Sequence, residues 1–256
     1  MRENGTALFR ASLMEEAERL RLDVSEGLLD RLARYYRLLR EWNRRLRLVG
    51  STDPKRAASE LFADSLLATD FAGRFLSGKG MKGGGDVLDI GSGAGFPGAV
   101  AGLAQPEWSL TLIEPDAKKR GFLKTVCRTV GPEGARLLGG RAEELAHESE
   151  FRSRFDVVFC RAVASPRVAL ELSVPFLRVG GSFLLQTSVR EAEADVRAGG
   201  LLRKAAAMIG VSIECSSHYV LSFPASARLL VRVEKLGETL AQYPRGMQAM
   251  RRRPLG

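Results

Sequence analysis

Two hydrophobic rhythms divide the chain. Up to about residue 76 apolar side chains recur every three or four positions; from residue 87 onward they come in short runs that end at glycine or an acid. Residues 11–22 carry apolar side chains at 13, 17 and 20. A second helix is predicted over 26–46, capped by Ser25, with Leu28, Leu29, Leu32, Tyr35, Tyr36, Leu39, Trp42 and Leu46 along one side. Asp53-Pro54 reads as a turn or helix start, ahead of a helix that holds Asp64-Ser65-Leu66. The glycine-rich stretch 77–85 then reads as a flexible boundary. Beyond it, strands are predicted over 87–90, 109–113, 136–138, 155–160 and 182–186. Helices over 99–104, 117–130 and 166–177 separate them, with Gly180-Gly181 as a turn. A helix over 191–209 precedes a hairpin of strands 211–221 and 228–233. The fold class is therefore α/β and Rossmann-like, with a seven-stranded sheet that is mostly parallel, an antiparallel end and an N-terminal helical extension. The expected division is 1–78 for the extension, 79–240 for the sheet domain, and 241–256 for a basic, mobile tail.

The segment from Val87 to Gly98 (VLDIGSGAGFPG) has the form of a first strand, a glycine turn and a helix start, the place where such sheets bind nucleotides. Gly93-Ala94-Gly95-Phe96-Pro97-Gly98 formally satisfies the dinucleotide pattern, so a nicotinamide or flavin cofactor has to be weighed. That pattern would put a pyrophosphate on the loop amides, where Asp89 would repel it. S-adenosylmethionine has a sulfonium and an ammonium but no phosphate, and the spacing Asp89-x-Gly91-x-Gly93-x-Gly95 suits it better. Glu114 ends the second predicted strand about twenty residues further on, the position of a ribose-binding acid. The Ala142-Glu143 pair and Arg161 follow later strands and are expected at the same crevice.

Charge adds a partner. The net charge is +9, and residues 31–56 carry nine basic side chains against two acids. Arg31, Arg34, Arg37 and Arg40 lie three apart, followed by Arg44, Arg45 and Arg47. A single-signed stripe repels itself, and a polyanion such as RNA relieves it. Arg34, Arg37, Arg44, Arg45 and Arg47 are the candidate phosphate contacts here. Lys118, Lys119 and Arg120 join them because cations opening a helix oppose its dipole; Arg245, Arg251, Arg252 and Arg253 join from the tail. Three scattered cysteines, Cys127, Cys160 and Cys215, read as reduced core thiols. His147 and His218 are the only histidines, which disfavours a histidine triad or a His-rich metal site. Without a spanning run or signal layout, the expectation is a cytoplasmic protein away from membranes, with a monomer favoured.

With those residues in place, the chain resembles the bacterial small-subunit rRNA guanine-N7 methyltransferases, the RsmG or GidB family, nearly end to end. The resemblance rests on Trp42-Asn43, Asp53-Pro54, Asp64-Ser65-Leu66, the Val87 to Gly98 segment, Gly140-Arg141-Ala142-Glu143, Arg161-Ala162-Val163-Ala164-Ser165 and Tyr243-Pro244-Arg245. It implies a class I methyltransferase sheet, S-adenosylmethionine as donor and 16S rRNA of the small subunit as acceptor. It also implies cofactor contacts at Gly91, Phe96, Ala142, Glu143 and Arg161, with Glu114 at the ribose. Three places depart from the family pattern: Arg47-Leu48-Val49 stands for Asn-Leu-Thr, Leu61 for a histidine, and Gln186-Thr187-Ser188 for Leu-Lys-Gly. All fall in the half expected to meet substrate. They keep open a different RNA, a small molecule or a protein as acceptor, and a non-catalytic RNA-binding protein as a second alternative. Guanine N7 presents a lone pair and no proton, so no general base is assigned. Arg161 is the candidate positioning residue.

Overall fold

Helix α1 (Arg2–Leu20) stops at Arg21, which adopts a left-handed φ of 57°. Ser25 then caps α2 (Glu26–Leu46), its Oγ accepting from the Leu28 amide, and the predicted apolar side is buried from Leu28 to Leu39. Arg47 closes α2 in a left-handed turn, and Asn43 Oδ1 accepts from Val49 N at 2.8 Å. Asp53 caps α3 (Pro54–Arg56), which widens into a π-helical stretch (Ala57–Ala63) before α4 (Asp64–Gly78). The computed structural model describes residues 2–80, 84–197 and 199–256; residues 81–83 of the expected flexible boundary and the side chain of Cys215 lie outside it.

The remaining elements alternate. They are β1 (Asp86–Ile90), α5 (Gly98–Ala104), β2 (Ser109–Ile113), α6 (Ala117–Thr129), β3 (Arg136–Leu138), α7 (Ala142–Leu145), β4 (Phe155–Arg161) and α8 (Pro166–Ser173). Then come β5 (Leu177–Ser188), α9 (Val189–Val196), α10 (Leu201–Met208), β6 (Val211–Ser222), β7 (Ala225–Lys235) and α11 (Met247–Arg252). Among the described residues the sheet has seven strands in the order β3-β2-β1-β4-β5-β7-β6. The first five run parallel, and β7 pairs antiparallel with both β5 and β6. The chain leaves β1 toward β2 on one side and returns to β4 on the other. The switch point, where ligands bind in such sheets, therefore lies between β1 and β4.

Two-residue periodicity sorts the strands between two cores. Val87, Leu112, Val157, Phe159 and Leu184 face α1, α2 and the π-helical stretch through Phe9, Leu32, Tyr35 and Phe62. Leu88, Ile90, Val158, Cys160 and Phe183 face the other layer. The N-terminal helices thus share a continuous core with the sheet.

Local details differ from expectation. The helix expected over 166–177 ends at Ser173, and a 3-10 turn (Val174–Phe176) takes over at Pro175, which has no amide proton to donate. Gly180-Gly181 falls inside β5, where the pairing slips from Phe155↔Leu177 to Val157↔Ser182. The helix expected over 191–209 is two helices, interrupted around Gly199-Gly200. The last hairpin is tighter than expected, with Phe223-Pro224 alone joining β6 to β7. The tail is docked, not mobile: Tyr243, Met250 and Leu255 are buried in the second core. No helix among the described residues is long and apolar enough to cross a membrane.

Candidate functional site

The glycine turn leaves the end of β1 with Gly91 at φ 67°. A Cβ there would stand 2.5 Å from Val163 Cγ2, because the segment after β4 folds down onto it through Ala162, itself left-handed at φ 55°. The two most specific motif segments are thus pressed together at the switch point. Glu114 braces the turn from β2: its Oε2 accepts from Gly93 N at 2.7 Å and its Oε1 from Asp116 N at 2.8 Å. Ser92 N donates to Ile113 O at 3.0 Å and prolongs the β1–β2 pairing into the loop. On the outer side, Gly93 faces open space, with Gly91 O at 3.7 Å the nearest atom to a Cβ placed there. Across the β2–β3 side, α7 starts at Ala142 and Glu143 with no side chain capping its first turn.

Asp89 overturns an expectation. Its carboxylate does not guard the crevice; it is fully buried beneath the turn, where Oδ2 accepts from Gly98 N at 3.1 Å at the start of α5. The inward face of a strand takes alternate residues, and Asp89 shares that face with Val87. Burial pushes its pKa from 3.8 up to about 7, against the hydrogen bonds from Ser92 and Gly98 and the nearby Arg161 charge; Glu114 adds to the rise. The repulsion argument against a pyrophosphate therefore does not hold on this structure. A pH dependence follows. The folded chain keeps the Asp89 proton up to about pH 7 while the unfolded chain releases it near 3.8, so this group's contribution to stability is lost as pH rises between those values. Asp89→Asn retains an acceptor for Gly98 and removes the titration. Urea midpoints of the variant should gain on the parent with each pH unit across that window and stop gaining above it. A pH-independent difference would contradict the assignment.

The underside of the turn is held by the N-terminal helices. The Tyr35 hydroxyl donates to Ala94 O, and its ring stacks on Phe96 at 5.5 Å, while Phe62 meets Phe96 edge-on at 5.1 Å. The Phe96 ring is thus committed to this cluster and is only 8% exposed. Gly95 sits at φ 86°, and a Cβ there would overlap the Tyr35 hydroxyl and lie 2.8 Å from Ala99 Cβ. Gly95→Ala combines left-handed strain with overpacking and should cost about 2–3 kcal/mol. Tyr35→Phe in the same background relieves part of the overlap, so calorimetric melting of the double variant should recover part of that loss. Tyr35 read as one more apolar-face residue in the sequence; nothing there showed that its hydroxyl would meet the loop 59 positions away.

Arg161 is drawn toward the same helices. Its Nη2 donates to Glu60 O at 2.6 Å, and its Nη1 faces Asp64 Oδ2 at 3.0 Å, outside hydrogen-bond alignment, so that contact is Coulombic. Asp64 Oδ1 accepts from the Tyr219 hydroxyl, and Gln186 Nε2 donates to Asp64 O at 2.7 Å. Burial and the adjacent Asp64 carboxylate push the Tyr219 phenol well above its ordinary range. The wide π-helical turn directs Glu60 O at Arg161, an irregularity that commonly marks functional segments. Asp64 was visible as a motif without a role. Glu60 and Tyr219 carried no signal.

The remaining cations separate into two groups. Arg34, Arg37, Arg44, Arg45 and Arg47 are exposed along and just after α2, and Arg251, Arg252 and Arg253 are exposed at the end of the chain. Lys118 is exposed and Lys119 partly so, and Asp116 offsets both by accepting from their amides. Arg120 instead has a local use, since its Nη1 donates to Glu114 O at 2.8 Å and Pro115 O at 2.6 Å. Arg245 is likewise committed: its Nε and Nη2 fork onto the two oxygens of buried Glu171 at 2.8 and 2.6 Å. Among the described residues no cluster of three or more metal-ligating side chains occurs.

Residues 28–204 match the family model described as GidB, rRNA small subunit methyltransferase G. Relatives carrying the name ribosomal RNA small subunit methyltransferase G match almost throughout. That of Caldanaerobacter subterraneus is 35% identical over 95% of this chain and 97% of its own. That of Exiguobacterium sibiricum is 34% identical over 92% and 94%, and that of Deinococcus deserti 34% identical over 95% of each. The glycine turn at the β1–β4 switch point, the two motif segments seated on each other there, and this end-to-end similarity agree: the chain belongs to the GidB family of small-subunit rRNA methyltransferases.

Proposed function

We propose that this protein methylates N7 of a guanine in small-subunit rRNA, with S-adenosylmethionine as donor. The observation that carries the reading is the braced glycine turn, where Glu114 holds Gly93 from one side of β1 and the Arg161–Val163 segment seats on Gly91 from the other. The residues present fit an adenosyl cofactor. The Gly91–Gly95 backbone, open beyond Gly93, would receive its amino-acid part. Glu114 has lone pairs left beyond its two backbone hydrogen bonds for the ribose hydroxyls, and the uncapped amides of Ala142 and Glu143 would face the base. When bound, this donor supplies an electrophilic methyl group on a positively charged sulfur.

The protein's share of the chemistry is placement and electrostatics. Guanine N7 carries no proton, so no side chain has to accept one, and the shortage of histidines is no obstacle. Fixing donor and acceptor in line is worth up to roughly 7–11 kcal/mol of barrier in favourable cases. Glu114, besides holding the ribose, would add negative charge to a site that receives a cationic donor. Arg161, anchored by Asp64 and Glu60, holds the β4 end in register with the glycine turn.

The reading is tested by incubating the protein and labelled S-adenosylmethionine with small subunits from a methylation-deficient strain, followed by nucleoside analysis. Label in 7-methylguanosine is the expected result. Label in another nucleoside would remove the N7 assignment, and no transfer to any RNA would remove the enzymatic reading.

A further inference from the structure

The α2 arginines do more than charge a surface. Arg37, Arg40, Arg44 and Arg45 line a concave cavity of about 580 Å³ together with Glu41 and Thr52. A smaller hollow of about 140 Å³ adjoins it, lined by Glu41, Trp42, Arg45 and Leu46. Arg45 and Glu41 belong to both. Arg37, Arg44 and Arg45 have no ion-pair partner among the described residues, and Glu41 is the only acid on either wall. Arg40 lies over the Tyr36 ring at 5.5 Å, and the Tyr36 hydroxyl donates to Thr52 O at 2.9 Å, so the cavity floor is braced.

We infer that these paired hollows form a subsite for a single-stranded RNA segment, with phosphates in the arginine cavity and a base against Trp42. The inference rests on the rRNA methyltransferase reading and locates part of its acceptor. Unpaired guanidinium groups lining a concavity suit phosphate oxygens, which accept from the planar fork. An aromatic ring beside such a groove stacks any base, the usual arrangement for unpaired strands. A membrane surface fits poorly, because the apolar side of α2 is consumed by the core and leaves nothing to insert.

Position supports the same partner. Trp42 packs at 5.6 Å on Phe122 of α6, and the first turn of α6 carries Lys118 and Lys119 directly after the Glu114-Pro115-Asp116 lip of the crevice. Lys118 is about 6 Å up the helix axis from Phe122. A strand held in the hollows therefore continues across cationic ground to the crevice mouth. Tyr35, seven residues before Trp42 on the same face of α2, grips the glycine turn, so RNA and cofactor sites share one helix.

The test uses the full chain and a labelled oligomer of ten uridines. With Trp108 only 7% exposed, quenching of intrinsic fluorescence reports Trp42. The oligomer should quench the parent, and Trp42→Phe should keep the fold and abolish the quenching. The triple change Arg37→Ala, Arg44→Ala and Arg45→Ala should weaken binding about tenfold or more and flatten the log–log salt slope by about 2, three contacts at roughly 0.7 each. Cofactor binding by calorimetry should be unchanged in both variants. An unaltered salt slope in the triple variant, quenching that survives Trp42→Phe, or tighter binding to vesicles of anionic phospholipid than to the oligomer would each overturn the proposal. Failure of the parent to methylate any RNA, with these results intact, would remove the methyltransferase reading and leave the subsite standing.

Discussion

Asp64→Ala is expected to destabilise the fold by about 3–5 kcal/mol, because it strips a mostly buried guanidinium of its counter-charge. Asp64 is 1% exposed and Arg161 15%, so water offers the orphaned cation little compensation. The same change leaves the Tyr219 hydroxyl without its acceptor, while the Arg161 hydrogen bond to Glu60 O remains. Urea unfolding measures the loss. The informative comparison is Asp64→Leu with Arg161→Met: removing both charges at similar volume should restore most of the stability that either single change costs. If the double variant is as unstable as the sum of the singles, the pair is not coupled and the account of Arg161 fails. Methyl transfer should not return with stability, since the proposed function gives Arg161 the positioning of the β4 end.

Arg245→Ala should be comparably costly, again about 3–5 kcal/mol, with a different consequence. Here the stranded group is Glu171, whose side chain is fully buried and accepts from both the backbone amide and the guanidinium of Arg245. Arg245 Nη2 also donates to Arg253 O, so its loss unties the chain beyond Tyr243 as well as exposing a buried carboxylate to an apolar layer. Limited proteolysis should show cleavage after residue 245 in the variant under conditions where the parent resists. Arg245→Lys keeps the charge without the planar fork and should recover only part of the stability. Full stability in Arg245→Ala would mean that the tail is held without the Arg245–Glu171 pair, by the burial of Met250 and Leu255 and the Arg167 hydrogen bond to Leu255 O.

What was legible in the sequence is what a few neighbouring residues decide. The bounds of α2 follow from the Ser25 cap and an unbroken apolar stripe, and both recur in the structure. The parallel strands, the antiparallel end and the place of the glycine turn follow from periodicity and from glycines that accept left-handed φ. Glu114 at the end of β2 and Arg161 at the end of β4 were readable because an open sheet collects strand ends in one crevice. Where the helix over 191–209 divides was less legible, since α10 has its own N-cap at Gly200 and two glycines weigh little against an otherwise apolar-periodic run.

Side-chain destinations were decided elsewhere. Asp89 turns under the loop to Gly98, Arg161 reaches back 101 residues to Glu60, Tyr35 crosses 59 to the glycine turn, and Arg245 closes on Glu171 across 74. A charged or hydroxyl group in a chain announces only that it needs a partner or water. Which partner it finds depends on which surfaces the cores bring together, and that is set by packing across layers. The sequence by itself therefore determined the elements, their order and the location of the crevice. The tertiary structure alone decided which polar groups face that crevice and which are consumed in holding it, because burial makes every unpaired polar atom costly and leaves few permitted arrangements.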